Sequence, residues 1–267
     1  MAQLHNFDLT GRLGDITFYY MRGCKRPIAR TKGGVSKKRI LNDPEFDMTR
    51  RAGSEFGVRG KASGHIIQLH RTIRAWDTHL LVGELNARLD VFQKLDTVSG
   101  KGQRGVLFSK NPKLLEGTPL SMGVAFDSVV TTPLTASISR ETLSAEVAIP
   151  AFKPGTNLFL PQRQPMYSLV TCLSLLPDFV YDEAIKGFKL APGYPPRAQA
   201  FAKTDWFSTT EGSAPTTLAL KVDALPPDQQ FCLMLSVGIR LGSVRTSQGL
   251  VVEPVNNAGA AKILAMG

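Results

Sequence analysis

The apolar positions of this chain change period twice. From Asp15 to Met21, "DITFYYM", they alternate: Ile16, Phe18 and Tyr20 fall on one face, Thr17, Tyr19 and Met21 on the other. Alternation with aromatic and β-branched residues predicts a strand. "RGCKR" is a turn around Gly23, and "PIART" predicts a returning strand with Pro27 at its start. The first predicted element is therefore a hairpin, and "KGG" ends its pairing.

The period then lengthens. Asp43-Pro44-Glu45 is a helix start: an acid at the cap, Pro in the first turn, then a second acid. Leu81, Leu85, Leu89 and Phe92 recur at helical spacing and predict an amphipathic helix ending near Ser99-Gly100. Between them, Gly53, Gly57, Gly60 and Gly64 would share one stripe of a helix. Each glycine costs roughly 1 kcal/mol against Ala in a helix interior. Two readings stand: a loop, or a helix whose close-packing glycines admit another helix or an extended partner chain.

From Pro119 the pattern shortens again. "SMGVAFDSVV", "LTASISRETLSAEVAI", "MYSLVTCLSLL", "TTLALKVDA" and "QFCLMLSVGIRLG" are separated by "FKPGT", "APGYPP" and "ALPPDQQ". Short runs with Pro/Gly punctuation predict a sandwich or barrel. "VNNAGAAKILAMG" predicts an Asn-rich turn before a final short strand. The expected fold class is mainly β with some α: a basic hairpin-plus-helix module over residues 1–115, then a β-sandwich-like domain over 116–267.

Charge sharpens that division. Residues 1–115 carry 21 Lys and Arg against 10 Asp and Glu, whereas residues 116–267 carry 11 against 12. The whole excess of the net charge of +10 lies in the first part. Such asymmetry points to a polyanion or an acidic partner. The candidate contact residues are Arg22, Lys25, Arg26, Arg30, Lys32, Lys37, Lys38, Arg39, Arg50, Arg51, Arg59 and Lys61. Gly33-Gly34 would let the ribbon after the hairpin approach its partner closely. Phe18, Tyr19, Tyr20, Phe56 and Trp76, interleaved with the cations, are candidates for stacking on bases or for core packing. Asp178, Asp182 and Glu183 form an acidic cluster with three readings: a loop, the acceptor for the basic ribbon of a neighbouring copy, or a paired-carboxylate site.

Catalytic chemistry has little to stand on. Cys24, Cys172 and Cys232 make no close pair, and the last two lie in apolar runs that predict buried thiols. His5, His65, His70 and His79 make no metal-ligand spacing. "GKGQRGVLFSKNP" lacks the glycine spacing of a phosphate-binding loop, and no Gly-x-Ser-x-Gly elbow occurs. We therefore expect no enzyme, no cofactor and no metal. The N-terminus lacks a charged segment followed by an apolar one, so no signal peptide is expected. No apolar stretch approaches 18 residues, so no membrane insertion is expected.

The block "GRLGDITFYYMRG…IARTKGGVSKKRILNDPEFDMTRRAGSEFG", residues 11–57, resembles a family of uncharacterised proteins of Bacteroidota and their mobile elements. The shared pattern is a Gly-x-x-Gly-Asp strand, Ala-Arg-x-Lys-Gly-Gly, Asp-Pro-x-Phe, Thr-Arg and Glu-Phe-Gly. The resemblance supplies no catalytic residue and implies a non-secreted protein of bacterial or phage-like origin. The functional expectation is a self-assembling structural protein, a homo-oligomer in the cytoplasm or a virion-like particle. The alternative is a nucleic-acid-binding protein.

Overall fold

The computed structural model describes residues 2–3, 9–21, 23–31, 33–71, 73, 78–121, 123–160, 164–195, 197–245 and 251–267. The chain divides into two compact units, Met1–Arg50 and Arg51–Gly267.

The N-terminal unit is built on short strands. β1 (Ala2–Gln3), β2 (Gly11–Leu13), β3 (Ile16–Tyr19) and β4 (Ile28–Thr31) form an antiparallel sheet in the order β1-β4-β3-β2. The expected hairpin is present as β3 and β4, with Ile16 opposite Thr31 and Phe18 opposite Ala29. A tighter turn joins β2 to β3, where Gly14 takes φ +58°. That left-handed backbone suits a residue without Cβ. After the sheet comes α1 (Lys37–Asn42), whose first turn is capped by the Ser36 hydroxyl accepting from Arg39 N at 3.3 Å. Asp43 caps the following 3-10 turn, Pro44–Phe46, by accepting from Glu45 N at 3.0 Å, as its Asp-Pro-Glu signature predicts. The turn leads into α2 (Asp47–Leu69).

The second unit has three layers. The middle layer is an antiparallel sheet in the order β10 (Gln199–Lys203), β7 (Met166–Pro177), β13 (Phe231–Arg245), β14 (Val251–Met266), with β11 (Phe207–Ser208) also on β7. On one face, Leu169, Leu173, Leu233, Leu235 and Val237 pack with Ala145, Val147, Leu218 and Leu220. Those partners come from a smaller sheet, β12 (Thr216–Lys221), β6 (Ser144–Ile149) and β5 (Thr135–Ser139). On the other face, Val170, Cys172, Leu176 and Met234 meet Val58, Ala62, Ile66 and Leu69 of α2 and Leu81, Leu85, Leu89 and Phe92 of α3 (Thr78–Leu95). Because both faces of β7 are covered, it reads as a continuous apolar run; strict alternation belongs to strands with one wet face. β8 (Phe179–Asp182) and β9 (Gly187–Leu190) make a separate hairpin.

The protein is thus mainly β with some α, as expected. Its organisation corrects the sequence reading in three places and, in a fourth, decides between the loop and helix readings of the glycine-bearing stretch. The division falls at Arg50/Arg51, not at 115/116, because the helices of residues 51–95 share a core with β7, β13 and β14. The glycine-bearing stretch is helical throughout α2. Within "SMGVAFDSVV", Phe126–Val129 is a short helix, α4, rather than a strand. The expected Asn-rich turn at residues 256–257 is instead strand, inside the sixteen residues of β14.

Candidate interaction surface

The expected contact residues separate into two groups. Arg22 and Lys32 lie outside the described residues, as do Trp76, His5 and the side chain of His79.

The first group is occupied within the chain. Arg39 donates to Asp43 at 3.0 Å and to Glu45 at 3.2 Å, and its guanidinium lies 5.7 Å from the centre of the Phe46 ring. Arg50 donates to the carbonyls of Ile40 and Asp43, each at 2.8 Å. Arg50 therefore closes the α1–α2 corner by satisfying helix-end carbonyls, and Arg39 does so by pairing with two carboxylates. Arg59 pairs with Asp90 on α3 and stacks 5.4 Å from the Phe56 ring centre. Lys61 donates to the Phe188 carbonyl at 3.0 Å. Arg51 and Arg26 also have partners.

The second group is Lys25, Arg30, Lys37 and Lys38. All four are exposed in the N-terminal unit, and none makes an ion pair or side-chain hydrogen bond with a described residue. Lys37 and Lys38 occupy the first turn of α1, which carries no acid. Cations there oppose the helix dipole, at a cost of a few tenths of a kcal/mol. Arg30 lines a recess of ≈ 270 Å³ with Thr17, Tyr19, Thr31 and Gly33.

The same unit leaves many of its apolar side chains in water. Among its described residues only Pro27 and Ile28 are buried. Leu13 is 70% exposed, Leu41 56% and Met48 53%, and Ile16, Tyr20, Met21 and Val35 are exposed too.

The glycine stripe is not a packed contact within the chain. A Cβ added to Gly53, Gly57, Gly60 or Gly64 would meet nothing within 4 Å. The stripe runs along an open face of α2: among the described residues nothing packs closely on these glycines, so the expected contact with another helix of the same chain is not made.

The acidic trio is dispersed. Asp178 is buried and accepts from Ser109 N at 2.9 Å and Ser109 Oγ at 2.6 Å, so it cannot receive a neighbour's cation. Burial pushes its carboxyl above the usual range, against those hydrogen bonds. Asp182 pairs with Lys189 across the β8–β9 hairpin, and Glu183 accepts from Gln103 at 2.9 Å.

One ionic lock escaped sequence reasoning. Glu55 on α2 accepts from Arg104 Nε at 2.8 Å, from an Arg104 terminal nitrogen at 2.6 Å and from Gly102 N at 2.7 Å. Burial would raise this carboxyl, but the Arg104 fork and the Gly102 amide outweigh it and hold it below the usual range. Gly102 has φ +95°, and a Cβ there would sit 2.9 Å from Arg51, so the glycine is required twice over. The only sequence signal was the basic glycine turn itself; its partner lies 49 residues away.

Among the described residues there is no group of three or more His, Cys, Asp or Glu placed to hold a metal ion. No helix among them is long and apolar enough to cross a membrane. Compared with protein-family models, with curated proteins and with solved structures, the chain matches none.

Proposed function

We propose that this chain is a non-enzymatic structural protein that self-assembles, phage-like, with its N-terminal unit as the arm that meets neighbouring copies. One observation carries the reading: the N-terminal unit keeps Leu13, Ile16, Tyr20, Met21, Val35, Leu41 and Met48 in water while burying, among its described residues, only Pro27 and Ile28. Large apolar side chains exposed in such number within one small unit suit a contact surface, and small units with little buried core depend on a partner for stability. The unpaired Lys25, Arg30, Lys37 and Lys38 give that contact a cationic rim. In this reading the protein works in the cytoplasm or within a virion-like particle as a homo-oligomer.

A second reading is nucleic-acid binding, favoured by the recess in which Arg30 and Tyr19 stand together. A guanidinium beside an aromatic ring suits a phosphate and a base. Light scattering of the full chain, with and without nuclease, separates the readings. Self-assembly gives a species heavier than the 29.1 kDa chain that survives nuclease. A mass that collapses to the monomer on nuclease treatment supports the second reading, and a 29.1 kDa species under all conditions removes the first.

A further inference from the structure

The second unit contains a recess that neither reading uses. The sheet face that carries Cys232 and Met234 is covered by helices, and Ile73 closes over Gly238, where a Cβ would lie 2.7 Å from its side chain. Two residues further along the same face of β13 stands Arg240, directly opposite Ser168 on β7. Arg240, Ser168, Lys203, Thr204, Asp205, Trp206, Val252 and Pro254 enclose ≈ 280 Å³. Ser168 and Thr204 line it, and their hydroxyls are spent on each other and on backbone carbonyls. Trp206 packs so tightly on β13 that only glycine fits at Gly242: a Cβ would be 2.7 Å from the indole and 2.6 Å from Val252.

Arg240 is the anomaly. It is only partly exposed, its Nε is sealed from solvent, and that atom has no hydrogen-bond partner. No carboxylate among the described residues lies within ion-pair distance of it, although Asp205 borders the recess; Lys203 is unpaired as well. Desolvation lowers the Arg240 pKa from its ordinary value. A half-buried charge without a counter-charge is costly and is relieved by an anion. The guanidinium fork suits an oxyanion that accepts two parallel hydrogen bonds.

We propose that this recess binds a small oxyanionic molecule, a phosphate or a carboxylate, held by Arg240 with Lys203 as auxiliary cation and Trp206 as the apolar wall. A volume at the lower end of ligand pockets fits a compact ligand. The proposal does not depend on assembly.

Isothermal titration of the full chain with inorganic phosphate and, separately, with acetate tests it. Expected is one site per chain for at least one probe, with the other probe showing which oxyanion is preferred. Arg240→Gln weakens that binding at least about tenfold, the loss of a charge-assisted hydrogen-bonded pair. Lys203→Gln weakens it about threefold, and Gln at Lys25, Arg30, Lys37 and Lys38 together leaves it unchanged. A second readout guards against a misfolded variant: in the absence of either probe, Arg240→Met melts at or above the parent temperature because an unpaired charge is gone. The proposal is overturned if neither probe binds, if Arg240→Gln binds as the parent does, or if Arg240→Met melts lower than the parent.

Discussion

The two units of this molecule treat the same amino acids in opposite ways. In residues 51–267, leucines on β7 and β13 are sealed on both sides of a sheet, and cations near the helices are locked to Asp90 and Glu55. In residues 1–50, Leu13 and Leu41 face water and, among the described residues, Lys25, Arg30, Lys37 and Lys38 stand without partners. Charge follows the same contrast. The first unit carries 10 Lys and Arg against 5 Asp and Glu, a net of +5 in 50 residues, and the other 217 residues carry the same net excess. One unit has an extensive buried core; the other buries, among its described residues, only Pro27 and Ile28.

The sharpest way to break that comparison is to delete the same side chain in each unit. Leu235→Ala empties a fully buried site and should cost ~2–5 kcal/mol in denaturant unfolding. Leu13→Ala should change stability by less than about 0.5 kcal/mol. Comparable losses would mean that the N-terminal unit has a core of its own.

The body should also carry an acid-sensitive element. His70 is buried, its Nδ1 2.9 Å from the Ile66 carbonyl and its Nε2 3.4 Å from Ser174 Oγ. Burial lowers its pKa from 6.5 to about 4. The unfolded chain therefore takes up a proton near pH 6.5 that the folded chain refuses until about pH 4. Stability is unaffected by this group above pH 6.5 and falls as pH drops towards 4, by roughly 3 kcal/mol in all. Burial lowers His65 in the same direction. His70→Gln should flatten the slope of stability between pH 7 and 4.5; equal slopes in parent and variant would contradict the assignment.

Smaller effects sharpen the contrast at the helix that bears the glycine stripe. With nothing within 4 Å of a new Cβ, Gly57→Ala should raise stability by about 0.5–1 kcal/mol through helix propensity and the unfolded chain. Destabilisation would reveal a close contact. Smallest of all, Gln at Lys25, Arg30, Lys37 and Lys38 should leave the melting temperature nearly unchanged, because exposed charges contribute little. The same change should weaken assembly at low salt, where surface charges are least screened.

Much of the fold was legible where period and punctuation agreed. Leu81, Leu85, Leu89 and Phe92 gave away α3, and Asp43 with Pro44 and Glu45 gave away the approach to α2. The middle of α2 was ambiguous because four glycines argue against a helix locally, while Val58, Ala62, Ile66 and Leu69 anchor it in the core. That tertiary anchoring outweighs propensity. The Asn pair at 256–257 read as a turn but falls within β14, at the register shift between its pairings through Pro254 and from Gly259 onward with β13. The boundary at 115 followed composition, whereas units are set by shared burial. At the candidate surface, sequence located the cations but not their fates. Whether an arginine meets a carboxylate 31 residues away, as Arg59 meets Asp90, is decided by the packing of α2 on α3.

The central claim is that the N-terminal unit, not the body, is covered when copies meet. Cys24 lies in that unit beside Lys25 and is partly accessible, whereas Cys172 and Cys232 are buried in the body, the Cys232 thiol pushed up to about 12 by burial. Thiol labelling of the native protein therefore reads the arm alone. The account predicts that Cys24 labels quickly in dilute protein and progressively more slowly as concentration rises, with high salt restoring the fast rate. A Cys24 labelling rate that is the same at every protein concentration and salt would contradict it.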